Sequence, residues 1–90
     1  MIDITHDETQ GRFACSVDGH PCELDYRLDG RRMAILHTGV PRQIGGRGIA
    51  AELTRAALDT ARGRGWQVLP LCSYAADYIR RHPEYADLLG

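Results

Sequence analysis

Three of the six residues in Gln43-Ile44-Gly45-Gly46-Arg47-Gly48 are glycine. The run lies between a strand-like segment that closes at Pro41 and an amphipathic stretch beginning near Ile49. A strand, a glycine-rich turn and a helix start together suit an anion. The first N–H groups of a helix lack internal partners and carry the positive end of its dipole, and glycine lets the anion approach the backbone. A phosphate cradle is therefore expected at residues 43–48. Arg42 and Arg47 beside it are solvated loop charges or bidentate phosphate ligands. Cys72 sits between a strand end and a helix start, where a helix N-terminus stabilises thiolate; it is a nucleophile or a small buried hydrophobe. His37, at a strand end, has the reference pKa of a general base or is a hydrogen-bonded structural histidine. Tyr74 and Tyr78 are spaced i, i+4. Cys15 and Cys22 read as strand core, and His6, His20 and His82 lack ligand spacing, so no metal site is expected.

The elements that must position these groups follow from periodicity and turn chemistry. Ile2 and Ile4 alternate with polar residues as a short strand, and Asp7 to Gly11 is a turn. Phe13, Cys15 and Val17 mark a second strand, Asp18-Gly19 a hairpin turn, and Cys22, Leu24, Tyr26 and Leu28 a third strand with one wet face. After Asp29-Gly30, Met33-Ala34-Ile35-Leu36 is continuously apolar and predicts a fourth strand buried on both faces. Ile49, Leu53, Ala57 and Ala61 predict a helix over 48–64, with Glu52, Arg55, Asp59 and Arg62 pairing along its wet side. Gly63 and Gly65 end it. Residues 66–71 form a fifth strand, parallel to the fourth through a right-handed crossover. Pro70 has no N–H, so the two strands are expected to part near it. Ser73 is the expected N-cap of a second helix over 74–81, stopped by Pro83. Tyr85, Leu88 and Leu89 dock the tail. The class is α+β: a mostly antiparallel sheet of about five strands, one parallel pair and two main helices.

Composition narrows the function classes. Ninety residues make one domain, 1–90, and 43% hydrophobic with 26% charged residues describe an ordinary globular chain. A net charge of −1 offers no basic field for nucleic acid. All eleven basic residues are arginine, which excludes Schiff-base and P-loop lysines. Three cysteines without paired spacing argue against a disulfide framework. No run reaches the length of a membrane helix, and Met1-Ile2-Asp3-Ile4 is no signal peptide. A cytoplasmic protein, monomeric or a weak dimer, is expected.

Gln43-Ile44-Gly45-Gly46-Arg47-Gly48 resembles the Q/R-x-x-G-x-G/A signature of the GNAT superfamily of N-acetyltransferases. His37-Thr38-Gly39-Val40-Pro41, Pro70-Leu71-Cys72-Ser73-Tyr74 and Arg81-His82-Pro83-Glu84-Tyr85 extend the likeness to a YjdJ-type family of short GNAT-like proteins, over nearly the whole chain. The resemblance implies a trimmed GNAT fold with acetyl-CoA in the gap between strands four and five. It implies that backbone groups of His37, Thr38 and Val40 pair with the pantetheine arm. Gln43 and the N–H groups of Ile44, Gly45, Gly46, Arg47, Gly48 and Ile49 then hold the pyrophosphate, and Cys72 faces the thioester. A tyrosine, here Tyr78, protonates the leaving thiolate in many such enzymes. The implied partners are a coenzyme A thioester and an unidentified amine or protein acceptor. Transfer is direct or passes through Cys72. A non-catalytic CoA-binding or sensing module is the alternative, and a nucleotide-phosphate binder fits the loop but not Pro70 to Tyr74.

Overall fold

The computed structural model describes residues 2–90. Five strands lie side by side in chain order: β1 (Thr5–Asp7), β2 (Arg12–Val17), β3 (His20–Asp29), β4 (Arg32–Gly39) and β5 (Gln67–Pro70). The first three pairings are antiparallel and β4–β5 is parallel. Helix α1 (Ile49–Arg64) makes the crossover, and α2 (Ser73–Arg81) follows β5. Short 3-10 turns occupy Arg42–Ile44 and Pro83–Leu89.

The β2–β3 hairpin turns on Asp18 and Gly19, both at positive φ (52° and 76°), the backbone that matches the right-handed strand twist. Its register brings Cys15 opposite Cys22 and Phe13 opposite Leu24, so that face enters the core: Leu24, Met33, Ile35, Leu53, Ala57, Leu58 and Ala61 are fully buried. Ala57 and Ala61 let α1 lie close on the sheet. Thr54, the buried polar side chain, donates to the Ala50 carbonyl at 2.8 Å, which meets its hydroxyl's need for a partner. Gly65, at φ 70°, ends α1 with its N–H on the carbonyls of Ala61 and Arg62.

Several expectations are corrected. Ile2 and Ile4 precede β1 rather than forming it. Met33 and Ile35 are buried, but Leu36 is 38% exposed, so β4 is not enclosed on both faces. The cause is the layer structure: α1 and α2 pack into one core cluster, and the face carrying Arg12, Asp25, Arg27 and Leu69 is left open. Along α1 only Glu52 and Arg55 pair as expected. Asp59 accepts from Tyr85 Oη at 2.7 Å, and Arg62 binds Asp87, because residues 83–89 fold back on the helix. Tyr85 and Leu88 are buried there, whereas Leu89 is exposed. Ser73 is the first residue of α2 rather than its N-cap; Cys72 holds that position.

Candidate active site

The glycine-rich loop is anchored from below and open above. Ile44 and Ile49 are buried, while Gln43, Gly45, Gly46, Arg47 and Gly48 face solvent. Pro41 starts a 3-10 turn in which Ile44 N–H donates to the Pro41 carbonyl and Gly45 N–H to the Arg42 carbonyl, both at 3.1 Å. The first helical bond of α1 is Glu52 N–H to Gly48 carbonyl, also 3.1 Å. Between these, the N–H groups of Gly46, Arg47, Gly48, Ile49, Ala50 and Ala51 donate no protein hydrogen bond among the described residues. Gly48 at the N-cap has no side chain to satisfy them. Gly46 and Gly48 take φ values of 80° and 76°, the left-handed backbone that turns successive N–H groups toward one side. Of the N–H groups expected to hold a phosphate, those of Ile44 and Gly45 are already in use within the 3-10 turn.

Arg47 bonds Asp18 of the β2–β3 hairpin at 2.6 Å. Both side chains are more than half exposed, so the pair contributes at most about 1 kcal/mol and tethers the loop weakly. Arg42 is exposed without an ion pair among the described residues.

The strands part where Pro70 predicts. Pairing of β4 with β5 runs from Arg32–Gln67 to Ile35–Pro70 and stops. The N–H groups of Leu71 and Cys72 both converge on the Ile35 carbonyl at 3.0 Å, closing the ladder as the chain turns into α2. Residues 37–39 keep β3 on one side and have no strand on the other. A strand edge of free backbone groups therefore leads from the parting point to the glycine-rich loop.

Cys72 lies at that parting point, partly buried, with Thr38 Oγ1 3.6 Å from its sulfur. Burial disfavours its thiolate. Donors from the Ala75 N–H, the Thr38 hydroxyl, the Tyr74 N–H and the Thr38 N–H outweigh that and hold the thiol below its ordinary value. None is short enough to be a conventional capping bond, so several weak donors act together. Cys15 shows the reverse: burial, then Cys22 beside it, pushes its thiol up to about 11.

Tyr78 is buried, its ring stacked on His82 at 3.9 Å. Burial raises its pKa, opposed by nearby Arg55, so the phenol stays protonated and able to donate. It stands six residues after Cys72, about 9 Å along the axis. Tyr74 is 39% exposed, its ring centroid 6.5 Å from that of Tyr78. His37 points away from Cys72, onto the open sheet face, where Nε2 meets Glu23 Oε2 at 3.1 Å. Sequence reasoning missed Glu23 and the Thr38 hydroxyl; alternation along β3 marked Glu23 as wet but did not give it a partner.

The site is thus a strand pair that opens beside a helix N-terminus with no capping side chain. The model of the GCN5-related N-acetyl-transferase family matches residues 12–88, and the chain belongs to that family. Protein NATD1 of Gallus gallus is 33% identical over 85 residues, which cover 91% of this chain and 77% of that protein. NATD1 of Homo sapiens is 33% identical over the same length, covering 91% and 75%. The NMR structure of a GCN5-like candidate N-acetyltransferase from Staphylococcus aureus superposes with a TM-score of 0.76 at 28% identity, over 96% of this chain and 85% of that one.

Proposed function

We propose that this protein binds acetyl-CoA and transfers its acetyl group to an amine. The observation that carries the reading is the run of unused N–H groups at Gly46, Arg47, Gly48, Ile49, Ala50 and Ala51, directly behind an open strand edge. A diphosphate needs several donors at once and gains from the helix dipole. A hollow of about 540 Å³ lined by Ile2, Arg47, Glu52 and Arg55 adjoins the loop and leaves room for the nucleotide. Gln43, exposed at the loop's entrance, contacts the coenzyme from outside. The pantetheine arm lies along the free edge of β4, using backbone groups of His37, Thr38 and Val40, and so brings the thioester to Cys72.

Two routes share this placement. In the covalent route the Cys72 thiolate takes the acetyl group and coenzyme A leaves as its thiol; the amine then displaces Cys72. The lowered thiol pKa supports this route. In the direct route the amine attacks the thioester and Tyr78 supplies a proton to the leaving sulfur. The three cysteines are free, which suits a reducing compartment such as the cytoplasm. Whole-protein mass spectrometry after mixing with acetyl-CoA, followed by thiol release in the presence of an amine pool, tests the proposal. Bound coenzyme with amine-dependent thiol release is the expected result. Binding without turnover leaves a sensing module, and no binding ends the reading.

A further inference from the structure

The open face of the sheet carries a second cluster, built around an irregularity in β4. Asp25 of β3 pairs with His37 and Tyr26 pairs with Ile35, so Leu36 is an extra residue in β4, a β-bulge. Without the bulge, neighbouring residues would point to opposite faces. With it, Leu36 and His37 both belong to the open side: Ile35 stays fully buried on the core side, and Leu36 and His37 are both exposed.

His37 is held rather than loose. Its Nε2 lies 3.1 Å from Glu23 Oε2, and both groups sit over Gly39. A Cβ at Gly39 would fall 2.9 Å from His37 Nε2 and nearer still to the Glu23 carboxylate. Gly39 does not adopt positive φ, so its glycine is explained by the space that the pair occupies. In the neutral tautomer that donates Nε2–H to Glu23, Nδ1 is the free ring nitrogen, on a side chain 57% exposed. Leu36 precedes His37 in β4, Leu69 of β5 is the register partner of Ala34, and Leu71 follows β5 with its N–H on the Ile35 carbonyl; their exposures are 38%, 40% and 61%. Thr38, the residue after His37, reaches Cys72 on the other side of the same strand edge. The edge of β4 thus separates the Cys72 side from an imidazole–carboxylate pair on a face that also exposes Leu36 and Leu69.

We propose that this open-face cluster is the acceptor site, with His37 as the general base, Glu23 as its positioning residue, and a primary amine on an apolar arm as the substrate class. The inference rests on the acetyl-transfer reading above. The amine arrives as R–NH3+, drawn by the carboxylate of Glu23, and lays its arm on Leu36, Leu69 and Leu71. It passes one proton to Nδ1 of neutral His37. The freed nitrogen lone pair forms the C–N bond at the acyl carbon, and the C–S bond breaks with its electron pair on sulfur. The second nitrogen proton goes to that thiolate, and His37 returns the first to solvent. Ammonium plus thioester gives amide, thiol and one proton. The balance is the same whether the thioester is on coenzyme A or on Cys72. On the same sheet face lie Asp25, the strand partner of His37, and Arg12, which bonds Asp25 at 2.6 Å.

The test uses the full chain with acetyl-CoA and two amines, phenethylamine and ethanolamine. Expected are a preference for phenethylamine, a fall in kcat/KM of about 100-fold in His37→Gln, and about tenfold in Glu23→Gln with an altered pH–rate profile. A purely structural Glu23 would leave that profile unchanged. Leu71→Ser should raise KM for phenethylamine about threefold and leave ethanolamine untouched. Calorimetry with acetyl-CoA runs on every variant and reports the coenzyme site separately. If wild type acetylates amines while His37→Gln and Glu23→Gln, folded and binding acetyl-CoA normally, keep its rate and pH profile, the base assignment is overturned. Equal rates for the two amines overturn the apolar acceptor class. Absence of coenzyme binding in wild type overturns the transfer reading itself, and this inference with it.

Discussion

Gly46→Asp places a carboxylate at the centre of the unused N–H groups. An added Cβ at this position meets no atom within 4 Å, so nothing clashes. The cost to the fold is the left-handed backbone, φ 80°, at about 1–2 kcal/mol for a residue with a Cβ. That corresponds to a Tm lower by roughly 4–8 °C per kcal/mol for a domain of this size. Binding suffers more. A carboxylate about 5 Å from each of two diphosphate charges is repelled by about 0.8 kcal/mol per charge even at the dielectric of water. One charge-assisted hydrogen bond lost to the new side chain adds about 1.5 kcal/mol. The sum exceeds the 1.4 kcal/mol that corresponds to tenfold in Kd. Calorimetry with coenzyme A should therefore show at least a tenfold loss, with circular dichroism reporting an intact fold. Gly46→Ala is the control, because it carries the same backbone strain without the charge; its Kd should stay within about threefold of wild type. Raising the salt should narrow the gap between the two variants, since exposed charges are screened. A folded Gly46→Asp protein with unchanged affinity would refute the cradle.

Amide exchange at residues 36–40 should slow when coenzyme A is added, because the free edge of β4 gains partners; unchanged exchange there would place the ligand elsewhere. Iodoacetamide should label Cys72 before Cys15 and Cys22, with its half-maximal rate below pH 9.0, the ordinary thiol value, and coenzyme A should shield it. Cys72→Ala should retain coenzyme binding and lose any acyl adduct on the protein; wild-type turnover in this variant would make Cys72 a packing residue and favour direct transfer. Cys15 gives an alkaline signature of the opposite sign. Its thiol ionises near 9.0 when unfolded and at about 11 when folded, so its contribution to stability is complete below pH 9 and is lost as pH rises toward 11. Urea titrations of wild type and Cys15→Ala across that range should show the wild type losing stability faster; parallel slopes would refute the assignment.

Much of the fold was legible because its signals are local. Asp18-Gly19 must turn, since few other dipeptides accept positive φ twice in succession. The four-residue recurrence from Ile49 to Ala61 has to bury one side of a helix. Pro70 ends a ladder because it cannot donate to one. The free N–H groups at the start of α1 belong to the same group: glycines before a helix start, with no capping side chain, leave them without partners.

The parts that were not legible join residues far apart in sequence or depend on register. Asp59 reads as an i+3 partner of Arg62 until residues 83–89 bring Tyr85 to it and Asp87 to the arginine. Ser73 reads as a cap until the turn after β5 gives that place to Cys72. Met33-Ala34-Ile35-Leu36 reads as a doubly buried strand, but an apolar run does not say whether both sheet faces are covered. The sequence by itself determined where the chain turns, which helix starts without a cap and which strand pair must open, because backbone preferences and missing N–H groups act within a few residues. Only the tertiary structure decided that a one-residue bulge at Leu36 sets His37 on the open face beside Glu23, because a single-residue change of register reverses every later side chain and leaves no mark in the local pattern.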